Sequence, residues 1–201
     1  MQVRQRIIVA SLAILNWPLA ASATNGYFSH GYGVRSQAVA GVGIALPQDG
    51  LAAAANPAGT AFVGNRLDAG ASLFRPDRGA SIQGNAYGAD GDYSANGTRN
   101  FFIPELGYAR QLSPELAVGL AIYGNGGMNT DYRRNPFAAF GATGKAGIDL
   151  SQLFLTPSVA YRPAPQHAIG AALTFAYQRF AARGLSPFDN AAVSSAPGSV
   201  T

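Results

Sequence analysis

The chain has 201 residues, 14 basic and 10 acidic side chains, a formal net charge of +4, and no cysteine. Charged residues make up 12% of it, against about 25% in ordinary soluble domains, and the hydrophobic share of 48% is not correspondingly high. These figures exclude disulfide frameworks and thiolate metal sites, a nucleic-acid footprint, since Lys145 is the one lysine and no basic run occurs, and a helical membrane bundle, which needs long apolar runs.

Residues 1–23 read as a secretory signal: Arg4 and Arg6, an apolar run from Ile7 to Leu15, then Ala21-Ser22-Ala23 as a small-residue cleavage site. The apolar run falls far short of the roughly 20 residues that span a bilayer. Loss of the two arginines lowers the formal charge from +4 to +2. The segment 24–65 follows as an N-terminal plug, or hatch. From Asn25 to Ala61 it is rich in Gly and Ala, nearly free of charge, and without a sustained helical or strand period. Such backbone is ordered only where surrounding protein or trapped water satisfies its polar groups.

From Arg66 on, five segments alternate as strands: Leu67–Arg75, Phe101–Arg110, Leu116–Tyr123, Ser151–Arg162 and Ala168–Phe180. In the third, Leu116, Val118, Leu120 and Ile122 oppose Ala117, Gly119 and Ala121. Alternation of this kind also suits a soluble sandwich, so the connections carry the decision. Gln111–Glu115 and Pro163–Gln166 are short; 76–100, 124–150 and the stretch after Ala181 are long. Short and long links in turn are the pattern of an outer-membrane barrel with short periplasmic turns and long external loops. Tyr108, Tyr161 and Tyr177 suit interfacial girdle positions. The fold class expected is all-β, a transmembrane antiparallel barrel with the hatch in its lumen. The polar tail 194–201 has loop composition, and five strands cannot close a barrel, so 66–201 is expected to be the N-terminal part of a longer one.

Three stretches, NGYFSHGYG (25–33), QDGLAAAANPAG (48–59) and AIYGNGGMNTDY (121–132), together resemble the FadL/TodX family of outer-membrane transporters. That resemblance implies a barrel of about fourteen strands in the bacterial outer membrane, passive uptake of long-chain fatty acids or other hydrophobic small molecules, and lateral release into the bilayer. It assigns Asn56, Pro57 and Ala58 to the joint where the hatch meets the first strand. The wall opening falls at Gly124, Asn125, Gly126 and Gly127, directly after the third strand. Phe28, Met128, Phe137 and Phe140 are the candidate ligand contacts, the last three alternatively explained by loop packing. The expected partners are the hydrophobic ligand, the lipid bilayer and the outer-membrane assembly machinery, with no nucleic acid and a monomer as the full-length form. Between Gly33 and Asn56 this chain is several residues longer than the fatty-acid members, and the third external loop would begin near Arg183.

Catalysis finds little to work with. His30 and His167 have no metal-ligand partner at motif spacing, and neither a P-loop nor a GxSxG elbow occurs. No cofactor and no metal is expected, and His30 reads as a hydrogen-bonded structural residue. Asp49 and Arg35 are candidates for an ion pair between hatch and wall, with plain solvation as the alternative. A general porin or an outer-membrane enzyme are the competing functions. Asn96-Gly97-Thr98 spells a glycosylation sequon that a bacterial export signal makes a coincidence.

Overall fold

A computed structural model of the chain describes residues 26–192 together with Ser195 and Gly198. The signal expected at 1–23, Asn25, and most of the tail lie outside the described residues. The strands are β1 (Arg66–Phe74), β2 (Gly79–Ile82), β3 (Gly91–Ser94), β4 (Phe101–Gln111), β5 (Leu116–Tyr132), β6 (Ala146–Ala164), β7 (His167–Ala172) and β8 (Phe175–Arg183). β1, β4, β5 and β6 pair antiparallel in that order, and β7 and β8 both pair with the far edge of β6. β2 and β3 form a separate hairpin within the first long connection. No helix among the described residues is long and apolar enough to cross a membrane.

The alternation read from the sequence resolves into two chemically distinct faces. Leu67, Leu73, Phe102, Tyr108, Leu153, Leu155, Val159 and Tyr161 are exposed on the outside. Ala109, Ala117, Ala121, Thr156, Ser158 and Ala160 are buried on the inside. A water-soluble sandwich would place its large apolar side chains inward. Here they point away from the protein, as a wall in lipid requires.

The inner face is small because it is filled by backbone. Residues 26–65 lie against it, with two short helices, α1 (Val34–Ala38) and α2 (Ala52–Ala55), and a 3₁₀ turn (Pro57–Ala61). Ala61 packs on Ala117 and Ala160, and Leu51 and Ala53 pack on Ala121 and Tyr123. Gly107 of β4 and Gly50 of the hatch meet backbone to backbone, so a Cβ on Gly50 would lie 2.7 Å from the Gly107 carbonyl oxygen. Only glycine permits that approach.

Three strands differ from expectation: the fourth begins at Ala146 rather than Ser151, so with the third it takes up most of the connection expected at 124–150. The third strand does not end at Tyr123 but runs on through Gly124–Gly127 to Tyr132, because its ladder with β6 uses backbone groups that glycine supplies as well as any residue. The fifth is divided at Leu173-Thr174, opposite Pro157 of β6. Proline has no N–H for a ladder bond, and the partner breaks there. Leu173 N–H instead donates to the Pro157 carbonyl at 3.2 Å, and the Thr156 and Thr174 hydroxyls meet at 3.1 Å.

Candidate functional site

β4 and β5 part company halfway along. Their last pair is Glu105–Tyr123, although β4 continues to pair with β1 through Phe101 and β5 with β6 through Tyr132. Pro104, unable to donate a ladder bond, is the first β4 residue beyond that point. Across β5 the register shifts between Gly124 and Gly126, leaving Asn125 as an extra residue. Extra residues of this kind bend the strand that carries them. The bend goes inward: a Cβ on Gly124, whose position belongs to the outer face, would sit 2.5 Å from Cγ2 of Ile103, whose side chain belongs to the inner face. The outside of β5 has slipped behind the inside of β4, and the wall has a window between them.

Three pieces of chain frame the window. Toward the short turns lies the Glu105–Tyr123 pair. At the long-loop end, Ala95–Thr98 crosses over to β5: Asp131 N–H donates to Ala95 O at 3.0 Å and Gly97 N–H to Asp131 O at 2.9 Å. Arg78 ties the same end, its guanidinium bonding Asn129 and the Thr98 carbonyl. The hatch itself provides the third piece. Ser29 N–H donates to Asn125 O at 3.2 Å and Gly127 N–H to Tyr27 O at 3.0 Å. Phe28 thus bridges to Gly126, which pairs with Gln152 of β6 on its other side. The start of the hatch has taken the β5 edge that β4 vacates. A side chain at Gly126 would collide with the Tyr27 carbonyl.

A cavity of about 790 Å³ opens here, lined from the hatch by Tyr27, Phe28 and His30, from β4 by Phe101–Pro104, and from β5 and β6 by Met128, Leu150 and Leu153. Its lining includes residues of both faces, among them Leu153 from the outer face and Leu150 from the inner one.

Polar contacts hold the hatch beside the cavity. Glu105, buried on the inner face, accepts hydrogen bonds from Gly33 N (3.1 Å) and Val34 N (3.0 Å) at the start of α1. Asp68 accepts from Gly50 N at 2.9 Å while paired with Arg66. The Tyr32 hydroxyl donates to Asn125 Oδ1, Asn125 Nδ2 donates to Gln152 at 2.9 Å, and Gln152 Nε2 to Gln178 at 2.7 Å. The Tyr32 ring lies 4.3 Å from that of Tyr123.

Of the residues singled out from the sequence, Gly124–Gly127 form the bent part of β5, and Phe28 and Met128 line the cavity. Phe137 and Phe140 do not. They belong to an aromatic cluster of the long loops, with Phe188 5.1 Å from Phe137 and Tyr87 5.6 Å from Phe140. Asn56 caps the 3₁₀ turn, its Oδ1 accepting from Ala58 N at 3.1 Å and its Nδ2 donating to the Ile44 carbonyl at 2.8 Å. One 3₁₀ turn and the short link 62–65 separate this joint from β1. Gly170 of β7 is pressed against Pro57 and Ala58.

Two expectations fail. Arg35 and Asp49 form no ion pair: Arg35 is exposed, while Asp49 is buried and accepts from Leu51 N at 2.9 Å. Burial pushes the Asp49 carboxyl pKa above its ordinary value, the more so because the Asp68 carboxylate is near, and the Leu51 N–H only partly offsets this. The His30 side chain makes no hydrogen bond among the described residues and lines the cavity instead. Sequence reasoning missed Glu105, Asp68 and Arg78. The signal for the two acids was a carboxylate at inner-face positions of strands otherwise nearly devoid of charge.

Residues 20–196 match the family model described as outer membrane protein transport protein (OMPP1/FadL/TodX). No curated protein matches the chain.

Proposed function

Since the chain belongs to the OMPP1/FadL/TodX family of bacterial outer-membrane transport proteins for hydrophobic compounds, we propose that it carries long-chain fatty acids or hydrocarbons passively to the cavity beside the hatch and releases them sideways, into the bilayer, between β4 and β5. The observation that supports this reading is the window itself, with a cavity lined from both faces of the wall. An apolar solute gains roughly 25 cal/mol for each Å² removed from water, so a path that ends among lipid tails runs downhill, where one through a hydrated lumen does not. The hatch packs on the inner face through Leu51, Ala53 and Ala61, which favours this reading over a general porin.

The test is uptake of a labelled hydrophobic solute by cells carrying Gly124→Arg. The arginine would displace the end of the Ile103 side chain, whose Cγ2 lies 2.5 Å from a Cβ at this position, and set a charge on the path. Uptake is expected to fall to the level of cells lacking the protein, with folding and heat-modifiable mobility on gels unchanged. Undiminished uptake by a well-assembled variant means that ligand leaves through the hatch.

A further inference from the structure

Arg78 carries a charge that no carboxylate among the described residues pairs with. Its guanidinium lies in the cavity lining at the long-loop end of the window, 5.6 Å from the centre of the Phe101 ring. Its partners are all neutral: Asn129 through both the backbone carbonyl and Oδ1, and the Thr98 carbonyl. Its Nε is buried and meets no acceptor among the described residues. The nearby carboxylates are engaged elsewhere. Asp77 accepts from Asn96 and lies 4.0 Å from Arg99, Asp131 accepts from Thr98 Oγ1, and Asp149 is paired with Arg179 at 3.3 Å. A cation partly withdrawn from water and ringed by dipoles, at one end of an apolar cavity, is costly until an anion joins it.

We propose that Arg78 receives the anionic head of a single-tailed amphiphile whose tail lies along Phe28, Ile103, Met128 and Leu153 toward the window. It is then a specificity-determining residue, separating anionic amphiphiles from neutral hydrocarbons and alcohols. This rests on the reading of the cavity as the ligand site. With Nη1 committed to Asn129 and one Nη2 hydrogen to the Thr98 carbonyl, the guanidinium keeps its other Nη2 hydrogen for a charge-assisted bond to an anionic head. A tail alone fits the cavity without using the charge.

The experiment is equilibrium binding of matched probes, dodecanoate, dodecyl phosphate and dodecanol, to the full chain in a neutral detergent, at a pH where both acids are ionised. Wild type is expected to bind dodecanoate about tenfold to a hundredfold more tightly than dodecanol, the range of a charge-assisted hydrogen bond. Dodecyl phosphate binding as well as dodecanoate assigns the preference to charge rather than to carboxylate shape, and still supports the assignment. Arg78→Gln should abolish the preference for anions and leave dodecanol binding intact, and Arg78→Lys should restore part of it. Equal wild-type binding of dodecanoate and dodecanol overturns the proposal whatever the variants do, and leaves the ligand cavity standing. Wild-type binding of none of the three overturns the cavity reading as well. A preference that persists in Arg78→Gln assigns Arg78 to loop anchoring and refutes it.

Discussion

A reversible lock across the window tests lateral release most directly. The Cβ built on Gly124 lies 3.7 Å from the Ile103 Cβ, inside the roughly 3.5–4.5 Å that a disulfide requires. Ile103→Cys with Gly124→Cys should therefore oxidise without backbone movement, and no native cysteine competes. The bridge closes a loop of about twenty residues, which by chain entropy favours the folded state by about 3 kcal/mol; its covalent span itself obstructs the window and keeps β4 and β5 from parting further. The assay is uptake of a labelled hydrophobic solute by cells producing the double variant, before and after a membrane-permeant reductant, with the cross-linked fraction read from gels. Uptake is expected to be at background when the bridge is complete and to return on reduction. Comparing the two redox states of one protein removes any effect of the new side chains themselves. Full uptake through a fully cross-linked wall would refute the argument, since no opening between these strands would then be needed.

Glu105→Gln leaves one acceptor where α1 now finds two and removes the charge. The loss should be roughly 1–3 kcal/mol, read as faster hydrogen exchange of the Gly33 and Val34 amides while the β1–β4 and β4–β5 amides stay protected. Gly107→Val drives a branched side chain into the backbone of Gly50 and Leu51, neither of which can yield. The hatch should undock and the protein should conduct ions steadily in planar bilayers, and a silent, well-inserted variant would contradict the close approach. Asp49→Asn keeps an acceptor for Leu51 N and removes the buried charge. Because burial raises the Asp49 pKa, ionisation is unfavourable in the folded state above that pKa and is relieved as pH falls through it. The variant should thus protect the hatch from protease better than wild type at neutral pH, with the advantage fading in acid.

Much of the wall was legible because a strand writes its two faces into alternate residues. Leu116, Val118 and Leu120 against Ala117, Gly119 and Ala121 needed no structure to assign. Gly124–Gly127 was legible as a disturbance but read as the end of the strand. Its ladder with β6 is made by main-chain groups, and a strand of glycines has no face to show. Glu105 was equally opaque, because its partners are two backbone N–H groups that any sequence would offer. Arg78 lay in a connection whose course, over the end of the window and back to Asn129, depends on long-range pairing between Gly97 and Asp131 that no local pattern encodes. Phe137 and Phe140 were visible as apolar loop residues, but their choice of Tyr87 and Phe188 as company is a matter of three loops meeting.

The extra residue Asn125 also acts as a phase shift. Up to Tyr123 the odd positions of β5 face inward; beyond the bulge Met128 pairs with the inward Leu150, and Asn129 with Asp149 on the outside. One inserted residue therefore brings the Met128 thioether to the inner surface of the opening in place of Asn129 and Asp131, and sends those two out to the frame where Arg78 and Thr98 bind them. Removing Asn125 would put every later side chain of β5 on the wrong side of the wall, something no substitution at the same position could do. In this part of the molecule the number of residues between Tyr123 and Met128, rather than their kind, sets which side chains of β5 face inward.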